Sequence, residues 1–302
     1  MGAVIIASPW TPPAWMKSND NIVGGILKDS LYASYAAHLK AFVDFMSNNG
    51  VTLYSVSIQN EPDVHVNYES CDWNASQMLK FVKNNAMSIG TKIIVPESYN
   101  FNHTISDAIL NDLVAVWNIS IIGGHLYGSR PKSYPLAESK GKEIWMTEHL
   151  DTDTTWSAVF GIAEEIDDCM YCGMNAYIWW YIRRFYGPIN DDGEVSKLGY
   201  IISQYARFIR PGFDRIPSTN NPQASVFTTA YKKDSKIIIV AQNHKLFATE
   251  QIFTLINGTV SAFTHYVTSK IKNCVMEKDI YVTIGSFTAM LDAESVNTFV
   301  SE

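Results

Sequence analysis

The stretch Leu53-Tyr-Ser-Val-Ser-Ile-Gln-Asn-Glu-Pro62 begins as a short β-prone run and ends in polar residues before a proline. Runs of about four to eight β-branched and apolar residues, bounded by turn-forming residues, predict buried strands. The polar tail Gln59-Asn60-Glu61 lies at the point where such a strand would end. We therefore predict a strand over Leu53–Ile58 whose carboxyl end presents polar side chains.

Similar runs recur along the chain and alternate with stretches of helical period. The six predicted strands are Val4–Ala7, Leu53–Ile58, Lys92–Val95, Ile121–Leu126, Glu143–Met146 and Asn175–Trp179. The clearest predicted helices are Leu31–Asn48, Asn74–Ser88, Trp156–Cys169 and Lys197–Phe208. Strands that alternate with helices are typical of βα units around a parallel sheet. The sequence thus predicts an α/β fold, and its length favours a barrel with a small second domain.

The sequence changes in character after Arg210-Pro211-Gly212, which is a strong break. The following runs are short and alternating: Ser225–Tyr231, Lys236–Gln242, Gln251–Leu255, Ala262–Val267, Ile280–Thr283, Ser286–Leu291 and Ser295–Val300. Such runs, separated by Asn, Asp, Lys and Gly, predict antiparallel strands. We therefore predict a catalytic barrel over residues 1–210 and a sandwich-like β side domain over residues 211–302.

Composition narrows the range of functions. The 302 residues carry a net charge of −7 and are 47% hydrophobic and 13% aromatic. An acidic chain without clustered Lys and Arg is not typical of a nucleic-acid-binding protein. No apolar run reaches the roughly 20 residues that cross a bilayer. The pair Cys169-x-x-Cys172 lacks the second Cys or His pair of a zinc site.

Polar residues concentrate after several predicted strands, which in a (β/α)₈ barrel is where active sites form. Glu61 and Glu148 each follow such a strand and are three βα steps apart. Glycoside hydrolysis needs two carboxyl groups, one to protonate the leaving oxygen and one to attack or to activate the attacking group. Asn60 could bond a sugar 2-hydroxyl in the transition state. We predict a retaining pair, and therefore carboxyl groups about 5–5.5 Å apart.

Each of these residues also has an ordinary structural interpretation. A Glu after a strand is often a helix cap or a surface charge. Trp10, Trp179 and Trp180 could be core residues, although three Trp at strand ends beside two Glu favour a sugar-binding platform. His125 fits a buried structural histidine as well as a member of the site.

Several segments together resemble glycoside hydrolase family 30. They are Ser8-Pro-Trp10-Thr-Pro-Pro13, Ser57-Ile-Gln-Asn-Glu61-Pro62-Asp63, Pro96-Glu97-Ser98, His125-Leu-Tyr127-Gly, Trp145-Met-Thr-Glu148-His and Trp179-Trp-Tyr-Ile-Arg-Arg184-Phe-Tyr186-Gly. The last segment, with Ser196-Lys197 and Gly199-Tyr200, is most similar to the subfamily of glucuronoxylan endo-1,4-β-xylanases. The resemblance extends over the whole chain and implies a TIM-type barrel with a β side domain.

The resemblance also implies a role for each matching residue. Glu61 would be the acid/base and Glu148 the nucleophile. The residues implied around the sugar at the cleavage point are Trp10, Asn60, Tyr127 and Trp180. Arg184, with Tyr186, would bind the carboxylate of a glucuronic acid branch, which a guanidinium fork recognises bidentately.

The chain departs from the subfamily pattern in two ways. Leu150 and Asp153 stand where the subfamily commonly has a Tyr and a Ser that touch the branch acid. Dependence on glucuronic acid is therefore less expected than plain xylanase activity. By the family pattern, Val4–Ala7 is the third barrel strand, so the first two βα units are not in the sequence. Our hypothesis is that the chain is a fragment, poorly stable and weakly active or inactive, because an incomplete barrel exposes sheet edges.

Alternative functions are another family 30 β-glycosidase, acting on glucans or glucosylceramides, and a carbohydrate-binding fragment that no longer cleaves. The expected partner is a polysaccharide, xylan or glucuronoxylan, and neither nucleic acid nor membrane. We expect a monomer that needs no metal or cofactor, because the two-carboxylate mechanism requires none. The full-length gene product is expected to be secreted.

Overall fold

The computed structural model describes residues 3–302, in which six strands form one sheet in sequence order. They are β1 (Ile6–Ala7), β2 (Ser55–Ser57), β3 (Lys92–Ser98), β4 (Ile121–His125), β5 (Glu143–His149) and β6 (Ala176–Trp179). Strands β1 to β5 pair in parallel, and Val56 lies opposite Ile93 in the β2–β3 register. All six lie within or overlap the predicted strands. The observed β2 is shorter than predicted, although the amides of Tyr54 and Ile58 donate to Ile5 and Ile94 just beyond its ends.

Six α-helices follow or separate these strands. They are α1 (Tyr32–Asn48), α2 (Ala75–Asn85), α3 (Thr104–Leu110), α4 (Pro135–Ser139), α5 (Trp156–Tyr171) and α6 (Lys197–Ala206). The start of α2 is fixed by a capping box between Asn74 and Gln77. The side chain of each residue accepts a hydrogen bond from the backbone amide of the other. Ser196 caps α6 by accepting from the amide of Gly199. The four predicted helices are confirmed, whereas α3 and α4 were not predicted because each has only about two turns of apolar pattern.

The described chain forms two compact units. The first contains the residues up to His149 together with Cys172–Ile178, and the second contains Leu150–Tyr171 and Trp179–Glu302. In the first unit, Ile94, Ile121 and Trp145 are buried on one side of the parallel sheet. Gly123 of β4 lies in a crowded position, because an added Cβ would meet Ile94 at 2.6 Å and Glu97 at 3.2 Å.

The second unit contains nine antiparallel strands in two sheets. They are β7 (Asp214–Ile216), β8 (Val226–Lys233), β9 (Lys236–Asn243), β10 (Thr249–Thr254), β11 (Ala262–Thr268), β12 (Val275–Met276), β13 (Ile280–Tyr281), β14 (Ser286–Leu291) and β15 (Ser295–Ser301). Strands β10 and β14 pair with each other, and the other seven form one sheet. Phe253, Phe263, Phe287 and Phe299 pack together in the core. The predicted antiparallel β part is confirmed, with β7 and β12 as short additions.

Helices α5 and α6 hydrogen-bond with these sheets, which explains why they belong to the second unit. Gln242 of β9 donates to the carbonyl of Ala163 in α5 at 2.6 Å. Thr298 of β15 donates to the carbonyl of Gln204 in α6 at 2.7 Å. The domain boundary after residue 210 stays a prediction.

Across residues 3–302, none of the helices combines the length and the apolar character needed to cross a bilayer.

Candidate active site

Glu61 follows β2 in an unusual backbone conformation that its neighbours hold in place. Its φ is +47°, a left-handed value that costs a non-glycine residue on the order of 1–3 kcal/mol. The amide of Glu61 donates to the carbonyl of Glu97 at 3.1 Å, and the amide of Asn60 donates to Pro9 at 2.9 Å. The side chain of Gln59 donates to the carbonyl of Trp10 at 2.6 Å. The loop after β1 and the end of β3 thus hold the backbone at Glu61 in place.

Glu148 lies in β5, and its carboxylate is held by a tyrosine. The hydroxyl of Tyr127 donates to Oε1 of Glu148 at 2.9 Å. Burial raises the pKa of Glu148, while the charge of His125 and the hydrogen bond from Tyr127 act in the opposite direction. Tyr127 itself has a strongly raised pKa, first because it is buried and then because Glu148 is negative. Tyr127 therefore remains a hydrogen-bond donor throughout the neutral pH range.

His125 lies between the two carboxylates at the end of β4. Its Nδ1 is 3.0 Å from Oε1 of Glu61 and 3.9 Å from Oε1 of Glu148. Burial lowers the pKa of His125, but the hydrogen bond to Glu61 and the charges of Glu97, Glu148 and Glu61 raise it more, so the net shift is upward. Of the two interpretations left open for His125, the structure supports membership of the site.

Two further residues near the pair were not selected as candidates from the sequence. Tyr68 donates to Oε2 of Glu61 at 2.6 Å from the loop between β2 and α2, where no strand-end pattern marks it. Glu97 is buried at the end of β3, has a φ of +57° and accepts a hydrogen bond from Ser8. The sequence feature that could have identified Glu97 is its position after a predicted strand, in the segment Pro96-Glu97-Ser98.

One donor atom each from Glu61, His125 and Glu148 lies within 4.8 Å of the other two. Such a group is compatible in geometry with a divalent cation. However, Oε1 of Glu61 already bonds His125, and Oε1 of Glu148 accepts from Tyr127. These hydrogen bonds hold the two carboxylates as a pair.

The other predicted site residues of the first unit lie near this pair. Trp10 follows β1, and its ring centroid is 5.4 Å from that of Tyr68, the tyrosine bonded to Glu61. Asn60 is buried beside Glu61, with 5% of its surface exposed. Tyr127 contacts Glu148 directly. The structure therefore brings Trp10, Asn60 and Tyr127 together with the two glutamates.

Trp180, Arg184 and Tyr186 belong to the second unit, in the segment that follows β6. The Arg184 guanidinium lies over the ring of Tyr181, 5.2 Å from its centroid, and is exposed. Tyr186 lines a small cavity of about 50 Å³ together with Asp153 and Lys197. Asp153, one of the two departures from the subfamily pattern, thus shares a cavity with Tyr186.

Comparisons with known proteins identify the family of this chain. Residues 3–142 match the model of the glycosyl hydrolase family 30 TIM-barrel domain. Glucuronoxylanase XynC of Bacillus subtilis is 43% identical over 99% of this chain and 74% of its own length. The chain belongs to glycosyl hydrolase family 30.

Solved structures of family 30 enzymes are similar over the whole chain. The family 30 subfamily 8 xylanase Xyn30A of Clostridium acetobutylicum superposes with a TM-score of 0.97 at 44% identity, covering 100% of this chain and 80% of its own. A family 30 endoxylanase of Clostridium papyrosolvens C71 gives a TM-score of 0.93 at 42% identity, with the same coverage of both chains. The predicted TIM-type fold is confirmed, and the chain is a family 30 glycoside hydrolase.

Proposed function

We propose that this chain is a retaining endo-xylanase that cleaves β-1,4-xylosidic bonds in xylan or glucuronoxylan. Oxygen atoms of Glu61 and Glu148 lie within 4.8 Å of each other, and this observation carries the proposal. Retaining enzymes hold their carboxyl groups about 5–5.5 Å apart, whereas inverting enzymes leave about 6.5–9.5 Å for a water. The similar xylanases support the choice of substrate.

Glu61 is proposed as the acid/base and Glu148 as the nucleophile. In the first step Glu148 attacks the anomeric carbon while Glu61 gives its proton to the leaving oxygen. In the second step Glu61 takes a proton from water, which attacks the same carbon and releases Glu148. The hydrogen bond from Tyr127 and the charge of His125 both favour the ionised form of Glu148 that attack requires.

The other predicted site residues have complementary proposed roles. Trp10 and Trp180 offer flat apolar surfaces for a sugar ring, and Asn60 can donate to a 2-hydroxyl as positive charge develops at the anomeric carbon. Because polysaccharide substrates of this kind lie outside cells, we also propose that the enzyme is secreted. A monomeric state is proposed separately.

Arg184 and Tyr186 are proposed to contact a glucuronic acid branch, since a guanidinium fork suits a carboxylate. Leu150 cannot donate a hydrogen bond, and Asp153 is an anion in the cavity that Tyr186 lines. Both features weaken selection for an acidic branch. We therefore propose that unbranched xylan is also a substrate.

The test is the release of reducing ends from glucuronoxylan, unbranched xylan and linear β-1,4-glucan, with mass analysis of the products. We expect internal cleavage of both xylans, little release from glucan, and an Arg184→Ala variant that loses only its preference for the branched substrate. Cleavage of glucan in preference to both xylans would contradict the assignment. Binding of xylan without release of reducing ends would favour a non-catalytic role.

A further inference from the structure

Tyr68 contacts the proposed acid/base from a loop rather than from a strand end. It lies seven residues after Glu61, between β2 and α2, and is half-buried. Its hydroxyl donates to Oε2 of Glu61 at 2.6 Å, while Oε1 of the same carboxyl faces His125 at 3.0 Å. The two oxygens of Glu61 therefore have different partners, one on a loop and one on the sheet.

The backbone of this loop is anchored by a buried lysine. Lys17 has no exposed surface, and its ammonium donates to the carbonyl of Ser70 at 2.5 Å and to the hydroxyl of Thr11 at 2.9 Å. The hydroxyl of Ser70 donates to the carbonyl of Tyr68 at 2.9 Å and accepts from the amide of Gly24 at 3.0 Å. Because a buried ammonium is costly unless its donors are bonded, the bond from Lys17 favours this position of the Ser70 backbone.

The hydroxyl of Tyr68 is also kept protonated. Burial raises the pKa of Tyr68, and the hydrogen bond to Glu61 and the charges of Glu61 and Glu148 raise it further. A hydroxyl that donates to a carboxylate favours the charged form of that carboxylate. The other titratable groups that act on Glu61 or lie beside it are His125 at the end of β4, Tyr127 after it, Glu97 at the end of β3 and Glu148 in β5.

We propose that Tyr68 is a positioning residue for the acid/base of this enzyme, an inference that rests on the proposed function. Its hydroxyl holds Oε2 of Glu61 in line for proton delivery and stabilises the carboxylate left after delivery. In the first step the proton passes from Glu61 to the glycosidic oxygen as the C–O bond breaks. Tyr68 neither gains nor loses a proton. Its hydroxyl donates a hydrogen bond to the carboxylate of Glu61 until Glu61 takes a proton from water.

The test is the variant Tyr68→Phe, which removes the hydroxyl and keeps the ring that packs near Trp10. A hydroxyl that donates to a carboxyl group favours its charged form, so loss of this donor should move the alkaline limb of the kcat/KM profile on xylan to higher pH. We expect kcat to fall up to about tenfold with little change in KM. The exposed Tyr281 in the second unit supplies the control Tyr281→Phe, which leaves the profile unchanged.

A second readout separates this inference from the proposed function. The carbon-13 carboxyl signal of Glu61, assigned by its absence from Glu61→Gln, should differ in chemical shift between Tyr68→Phe and the unaltered chain, because the hydrogen bond to Oε2 is lost. An unchanged signal overturns the role of Tyr68, whether or not the chain is active. An unaltered chain that releases no sugar from xylan overturns the proposed function, while the carboxyl signal still decides the role of Tyr68. Thermal melting of both Tyr→Phe variants checks that they are folded.

Discussion

The two compact units each contain a buried network around carboxyl groups, and the two networks differ in an instructive way. In the first unit, the carboxylate-pair network consists of Glu61, Glu148, His125, Tyr127 and Tyr68. In the second unit, the Asp167 network consists of Asp167, Thr229, Tyr205 and Gln242. Thr229 donates to Oδ1 of Asp167 at 3.0 Å and Tyr205 donates to the same oxygen at 3.3 Å, while Gln242 donates to Tyr205 at 2.8 Å.

Burial raises the pKa of one carboxyl group in each network. In the first unit this group is Glu148. In the second unit it is Asp167, whose pKa is raised to about 6. Only the carboxylate pair brings two carboxyl groups within 4.8 Å and leaves Glu148 13% exposed. Asp167 joins helix α5 to strand β8 and is only 3% exposed. A raised pKa thus accompanies both the proposed catalytic site and a structural network, and the two differ in the presence of an opposed partner carboxyl group.

The largest expected effect is on activity, which substitutions in the carboxylate-pair network should lower and a substitution in the Asp167 network should not. Glu61→Gln should lower kcat/KM on xylan by about 10²–10⁴-fold, since general acid–base catalysis is lost. Glu148→Gln should lower it further, because no covalent intermediate forms. Asp167→Asn should keep the activity of the unaltered chain. These rates are compared at one pH on folded protein. Equal losses in all three variants would remove the distinction between the networks.

The second expected effect is on the pH dependence of the free energy of unfolding, to which the Asp167 network contributes. An Asp whose pKa is raised from 3.8 to about 6 in the folded state lowers the free energy of unfolding by roughly 2–2.5 kcal/mol between pH 4 and pH 7. The free energy of unfolding falls as the pH rises because the unfolded chain loses this proton at a lower pH than the folded chain does. Asp167→Asn should abolish this part of the pH dependence in urea unfolding. The exposed turn variant Asp234→Asn is the control and should retain it.

The third effect tests the donor to Glu148. Tyr127→Phe removes a hydrogen bond to a charged group, worth roughly 1.5–3 kcal/mol, so kcat/KM should fall about 10–100-fold. The pKa of Glu148, already raised by burial, should rise further, and the acid limb of the profile should move to higher pH. Movement of the alkaline limb instead would reverse the assigned roles of the two glutamates.

Much of the parallel sheet could be predicted because each strand is a compact apolar run followed by polar residues. Glu61 and Glu148 were selected as candidates in this way, since each lies at the carboxyl end of a strand. Tyr68 could not be found, because its contact with Glu61 depends on a loop held by Lys17 and Ser70. The interactions that hold this loop are tertiary and leave no periodic pattern in the sequence.

The Asp167 network shows the same limit in the second unit. Helix α5 was predicted from its apolar spacing, which also places Asp167 on its buried face. The partners Thr229 and Gln242 come from strands that lie more than 60 residues further along the chain. Spacing within one helix gives no information on such distant partners, so this buried carboxyl was not predicted.

Azide rescue on an activated aryl xylobioside tests the roles of the carboxylate pair most directly. In Glu148→Ala, azide should attack the face that Glu148 occupied and give the α-glycosyl azide. In Glu61→Ala, the glycosyl-enzyme should still form, and azide should attack it from the opposite face to give the β-glycosyl azide. Proton NMR of the two products distinguishes these outcomes. The same anomer from both variants, or rescue of neither, would contradict a retaining pair with Glu148 as nucleophile and Glu61 as acid/base.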